Sequence, residues 1–118
     1  MSENFLEGKV ALVTGAGSGF GREMAINFAK KGADLVLNDI HIESIKETRD
    51  IILNSHKVEI MLAEADISDE EQVNLISKKV FQQFDNVFVL VNNAGIRGGS
   101  SSLKTKMKDY DMVMNVNV

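Results

Sequence analysis

Four glycines at alternate positions, Gly15, Gly17, Gly19 and Gly21, separate a short apolar run, Val10–Val13, from a stretch of helical character that begins near Gly19. A strand, a glycine-rich turn and the first turn of a helix together suit an anion. The unpaired N–H groups and the positive end of the helix dipole face a phosphate, and residues without side chains let it approach the backbone. Gly15, Ser18, Gly19, Phe20 and Gly21 are therefore candidate contacts for the diphosphate of a dinucleotide. A nucleoside-triphosphatase loop is not indicated, because no Gly-Lys-Ser or Gly-Lys-Thr follows the glycines.

Two carboxylates extend the pattern. Asp39 closes the next apolar run, 18 residues beyond Gly21, close to the spacing of about 20 at which an acidic residue grips an adenosine ribose. A carboxylate there accepts from both ribose hydroxyls and repels a 2′-phosphate. Neither Ile40 nor Ser18 brings a cation for such a phosphate, so the residues favour NAD over NADP. The plainer alternative is a solvated aspartate at a strand end. Asp66, in Ala65-Asp66-Ile67-Ser68, has the place to accept the adenine amino group while the next backbone N–H, that of Ile67, meets a ring nitrogen; it would serve equally as a turn or pre-cap residue. Asn92 and Asn93 have amides able to pin a nicotinamide-side loop, or to form a turn.

The elements that must position these residues alternate between short apolar runs and longer amphipathic stretches, the pattern of βαβα units on a parallel sheet. Strands are expected at residues 10–13, 33–39, 58–63 and 87–91. Helices are expected at about 19–31, ended by Gly32, at about 42–54, and after a capping box with Ser68 as N-cap and Glu71 at N3. Following a loop at 96–102, a last helix is expected from near Leu103, with Tyr110, Val113, Met114 and Asn117 sharing much of one face. Right-handed crossovers give a Rossmann-type α/β sheet in the order 3-2-1-4, helices on both faces. Strand four would then be an edge, an unfavourable place for five apolar residues, so it requires cover from further chain or from a partner.

Composition narrows the function classes. The chain has 118 residues, 44% hydrophobic and 25% charged, and is read as one nucleotide-binding domain over 1–118. Its formal charge of -4 gives no electrostatic case for nucleic acid or an anionic membrane. Cysteine is absent, which excludes disulfides and thiolate chemistry, and two scattered histidines, His41 and His56, are no metal site. The N-terminus lacks a basic region followed by an apolar run, and no window reaches the roughly 18 apolar residues of a spanning helix, so no membrane and a cytoplasmic location are expected.

At this point the chain resembles the N-terminal half of the short-chain dehydrogenase/reductase family. Thr14, Gly15, Gly19 and Gly21 match its Thr-Gly-x-x-x-Gly-x-Gly motif, and Asn92-Asn93-Ala94-Gly95 matches its Asn-Asn-Ala-Gly motif. The wording is similar to 3-oxoacyl-carrier-protein reductases and to small sugar, polyol or hydroxysteroid dehydrogenases. The resemblance implies that Asp39 selects NAD, that Asp66 and Ile67 meet adenine, and that Asn93, Ala94 and Gly95 line the nicotinamide side. It also places the family's structural and catalytic asparagine, on a kinked helix, at Asn117.

The resemblance further implies hydride transfer between NAD(H) and a small alcohol or ketone, in a dimer or tetramer of like chains. The family's serine and its Tyr-x-x-x-Lys lie beyond the asparagine segment. Tyr110, the one tyrosine, is followed four residues later by Met114. The 118 residues alone are thus expected to be inactive. The alternatives are a truncated, non-catalytic nucleotide-binding module, a partner-dependent interaction protein, or a structural domain that binds no nucleotide. The stripe Leu103, Met107, Tyr110 and Met114 suits either a partner or the chain's own sheet.

Overall fold

A computed structural model describes residues 5–93 and 114–117. Five strands form one parallel sheet: β1 (Val10–Val13), β2 (Asp34–Asp39), β3 (Ile60–Glu64), β4 (Val89–Asn92) and β5 (Met114–Asn117). Their spatial order is β3-β2-β1-β4-β5, which contains the expected 3-2-1-4. Helices α1 (Gly19–Lys30), α2 (Ile42–Leu53) and α3 (Glu70–Gln83) join them.

The central strand β1 is apolar on both faces because both are covered. Along β1, Ala11 and Val13 enter one core while Val10 and Leu12 enter the other. The first core holds Ala25 and Ala29 of α1 and Ile45 and Ile52 of α2; the second holds Val73, Ile76 and Val80 of α3. Steps from β1 to β2 to β3 run one way across the sheet and the step from β3 to β4 runs back. Right-handed crossovers must therefore put α1 and α2 on one face and α3 on the other. The reversal falls between β1 and β4, where a doubly wound sheet opens a crevice at the carboxyl ends of its strands.

Two expectations are corrected. Met114 to Asn117, expected as helix, form β5 and pair in parallel with β4, Asn92 opposite Asn117. Met114, Asn115, Val116 and Asn117 alternate apolar and polar, a period of two that fits a strand, and pairing satisfies the backbone groups of β4 that would otherwise form an edge. The N-cap of α3 is Asp69 rather than Ser68. Its carboxylate accepts from Glu71 N at 3.0 Å and Gln72 N at 3.3 Å, and Gln72 Nε2 donates back to it at 3.1 Å. The capping pair is Asp69 and Gln72, one residue beyond the expected one. Elsewhere the bounds shift by one or two residues. Gly32 ends α1 with φ 92°, as its type suggests. Leu103, Met107 and Tyr110 lie outside the described residues.

Candidate functional site

The four glycines divide into two kinds. Gly15 and Gly19 have φ of 63° and 54°, where a side chain is strained. Gly17 and Gly21 instead lack room: a Cβ at Gly17 would lie 2.5 Å from Ser44 Cβ and 2.7 Å from Asp39 Oδ2. One at Gly21 would drive into the Gly15 carbonyl and come within 2.6 Å of Asn93 Nδ2. A Cβ at Gly19 meets nothing within 4 Å, so the space over the start of α1 is open. Ser18, the N-cap, makes no side-chain cap bond, and the first turn holds no acidic residue. Neither Ser18 nor an acidic first turn occupies the N-terminal N–H groups of α1, an arrangement suited to an anion.

The glycine loop is held from three sides. Ala16 N donates to Asn38 O at 2.8 Å, which ties it to the end of β2. Gly17 N donates to Asp39 Oδ2 at 3.0 Å. Asn93 Nδ2 donates to Gly15 O at 3.4 Å. Thr14 stitches β1 to β4 across the crevice: its hydroxyl donates to Val91 O at 3.2 Å and accepts from Asn93 N at 2.8 Å. Asp39 thus has a role the sequence did not reveal. Beyond facing the crevice, it anchors the loop, and its other oxygen accepts from His41 N at 3.2 Å.

A cleft of about 300 Å³ opens between these groups, lined by Gly15, Ser18, Asn38, Asp39, Ile40, His41, Ala65, Ile67 and Asn93. It lies at the carboxyl ends of the strands. A larger hollow of about 500 Å³, lined by Lys9, Asp34, Asp85 and neighbours, sits at their opposite ends. Among the described residues no strand points its carboxyl end there and no helix begins there, so size does not identify the site.

Of the residues read as candidates, the cleft lining gathers Gly15, Ser18, Asp39, Ile67 and Asn93. Gly19, exposed Phe20 and Gly21 begin the helix beside it. The Ile67 side chain is buried in the core, which leaves its backbone for a ligand. Asp66 lies between two lining residues without being one, and its Oδ1 accepts from Ser68 Oγ at 2.6 Å and Ser68 N at 2.9 Å. Those two bonds, the hydroxyl's foremost, hold its carboxyl below the usual 3.8. Gln72 Oε1 accepts from Asp66 N at 2.8 Å. Asn117 stands in register with Asn92 on β5. Ala94 and Gly95 lie outside the described residues.

Three contributors escaped sequence reasoning. Asn38, buried, donates through Nδ2 to Ala63 O at 2.9 Å and Ala65 O at 3.1 Å, fastening the chain that follows β3 to β2. Arg22 and Thr48 fasten the glycine loop to α2. Only the polar type of Asn38 within an apolar strand signalled anything beforehand. His41 is the N-cap of α2 and also borders the cleft.

A doubly wound parallel sheet with an uncapped helix over a glycine loop at its switch point defines a Rossmann-type α/β protein. The model of the short chain dehydrogenase family matches residues 9–118, and the chain belongs to that family. It is 36% identical over 114 residues to a hydroxy(phenyl)methylsuccinyl-CoA dehydrogenase subunit from Thauera aromatica, covering 96% of this chain and 45% of that one. It is 37% identical over 117 residues to a 3-oxoacyl-(acyl-carrier-protein) reductase from Thermotoga maritima, covering 96% and 46%. Levodione reductase superposes with a TM-score of 0.88 at 28% identity, over 94% of this chain and 54% of that one. The chain thus spans about half the length of the relatives it matches. Members of this family bind a nicotinamide cofactor. Among the described residues no helix is long and apolar enough to cross a membrane, and no group of three or more His, Asp or Glu is placed to hold a metal.

Proposed function

We propose that residues 1–118 are an NAD-binding domain and form the cofactor half of an oxidoreductase that moves a hydride between NAD(H) and a small alcohol or ketone. The observation that carries the choice of NAD is Asp39 in the cleft wall, with no lysine or arginine lining it among the described residues. Its two oxygens each accept one backbone N–H and keep lone pairs for ribose hydroxyls. A 2′-phosphate would meet fixed negative charge, and among the described residues the nearby Arg22 guanidinium is taken up by four other groups.

The nicotinamide would supply the hydride chemistry. The chain's own residues hold and orient it. Gly15, Ser18, Gly19, Phe20 and Gly21 would face the diphosphate, Asp39 the adenosine ribose, and Asp66 and Ile67 the adenine. Asn93, Ala94 and Gly95 would border the nicotinamide side, and Asn117 would serve the proton relay that the family resemblance implies. No Tyr-x-x-x-Lys occurs within these residues, so the chain alone should bind cofactor without turnover. The resemblance supports a homo-oligomer, and a cytoplasmic setting suits a chain of this composition.

Titration of the folded protein with NAD and with NADP tests the reading. Tighter binding of NAD, with the preference lost in Asp39→Ala, is expected. No binding, or preference for the phosphorylated form, would overturn it. Residues 1–118 of confirmed mass should oxidise no alcohol with NAD above the level of a Gly19→Val variant.

A further inference from the structure

The loop that would cradle the diphosphate is oriented from outside its own motif. Thr48, fully buried in the middle of α2, donates its hydroxyl to Ala16 O at 2.8 Å and accepts from Arg22 Nε at 2.9 Å. The other arm of the same guanidinium donates to Gly17 O and, at 3.3 Å, to Ser44 O. Its remaining nitrogen meets Glu47 Oε1 at 2.8 Å, where Glu47 is largely exposed and the ion pair correspondingly weak.

Two consecutive loop carbonyls are thereby turned into the α1–α2 seam. A trans peptide is planar, with C=O and N–H on opposite sides. Holding Ala16 O on Thr48 sends Gly17 N–H the other way, where Asp39 Oδ2 receives it. Holding Gly17 O on Arg22 likewise turns Ser18 N–H away from the seam, and Ser18 lines the cleft.

We infer that Arg22 and Thr48 form a relay from α2 that fixes the peptide planes of the glycine loop, making them positioning residues for the diphosphate. This rests on reading the loop as the diphosphate site. Both residues are polar members of helices, away from any strand end, and neither belongs to the glycine motif. Thr48 is spaced with Ile45 and Ile52 on the buried face of α2, a place where an apolar residue would pack without cost unless its hydroxyl were needed.

The test uses the full-length protein with Thr48→Val, which keeps shape and removes the hydroxyl, Thr48→Ser, which restores it, and Arg22→Ala. Affinity for NAD and for adenosine is measured for each, with amide exchange at Gly17. Thr48→Val and Arg22→Ala should each weaken NAD roughly tenfold, the scale of one lost hydrogen bond. Adenosine affinity should fall less than NAD affinity, Gly17 exchange should quicken, and Thr48→Ser should recover NAD affinity and slow Gly17 exchange. The double variant should lose less than the sum of the two singles, because Arg22 Nε also bonds Thr48 and each single change loosens the other's hold. Equal losses for adenosine and NAD, or an unchanged Gly17 amide in a folded Thr48→Val protein, would overturn the relay. Were the unaltered protein to bind no NAD, the cofactor reading would fall, and the Gly17 amide alone would still decide whether the relay orients the loop.

Discussion

At the scale of single residues, the glycines serve two physical demands that one letter conceals. Gly21→Ala should destabilise the protein by about 1–3 kcal/mol through overpacking against the Gly15 carbonyl, seen as a lower urea midpoint. Gly19→Ala strains φ without a clash, so its cost should be smaller while nucleotide binding still suffers. Asp66 makes a prediction in pH. Its carboxyl is depressed by Ser68, so the stabilisation is complete above the ordinary value of 3.8 and disappears as pH falls through the lowered one. Carboxyl carbon shifts followed by NMR should show Asp66 titrating closer to 3.8 in Ser68→Ala. The glycine spacing and Asp39 were readable beforehand because type and interval carry their meaning. The bond from Gly17 to Asp39 was not, since it depends on a loop that folds back over 22 residues.

At the scale of elements, strands buried on both faces announced themselves as unbroken apolar runs, whereas ends and caps did not. Ser68 and Asp69 are both competent caps, and sequence alone gives no reason to prefer the second. The structure does: Ser68 is occupied with Asp66, which leaves Asp69 to Glu71 and Gln72. Asp69→Ala should therefore cost about 1 kcal/mol of stability in urea, and Ser68→Ala clearly less. In α2 the apolar Leu53 is exposed while the polar Thr48 is buried. Hydrophobicity cannot reveal a hydroxyl that is inside because a carbonyl needs it. The helix expected over 114–117 failed for a related reason: spacings of three and four were counted where a shorter alternation also fitted. Amides of Val89 to Asn92 should exchange faster when Met114 to Asn117 are deleted, because those residues pair with β4 along its outer side.

At the scale of the whole molecule, the sheet's change of direction between β1 and β4 decides where ligands can meet the chain. The order 3-2-1-4 was legible from alternating elements and right-handed crossovers; the fifth strand was not. Leu12 sits on the central strand, wholly inside the core against α3, so Leu12→Ala should lower stability by about 2–5 kcal/mol in thermal or urea unfolding. Thr14 carries a kinetic corollary. A single hydroxyl engaged on both sides, toward Val91 and Asn93, rivets the two lips of the crevice at a set gap. A visitor would find the doorway already at its final width, and rapid-mixing traces should then show one phase whose rate climbs in proportion to nucleotide concentration.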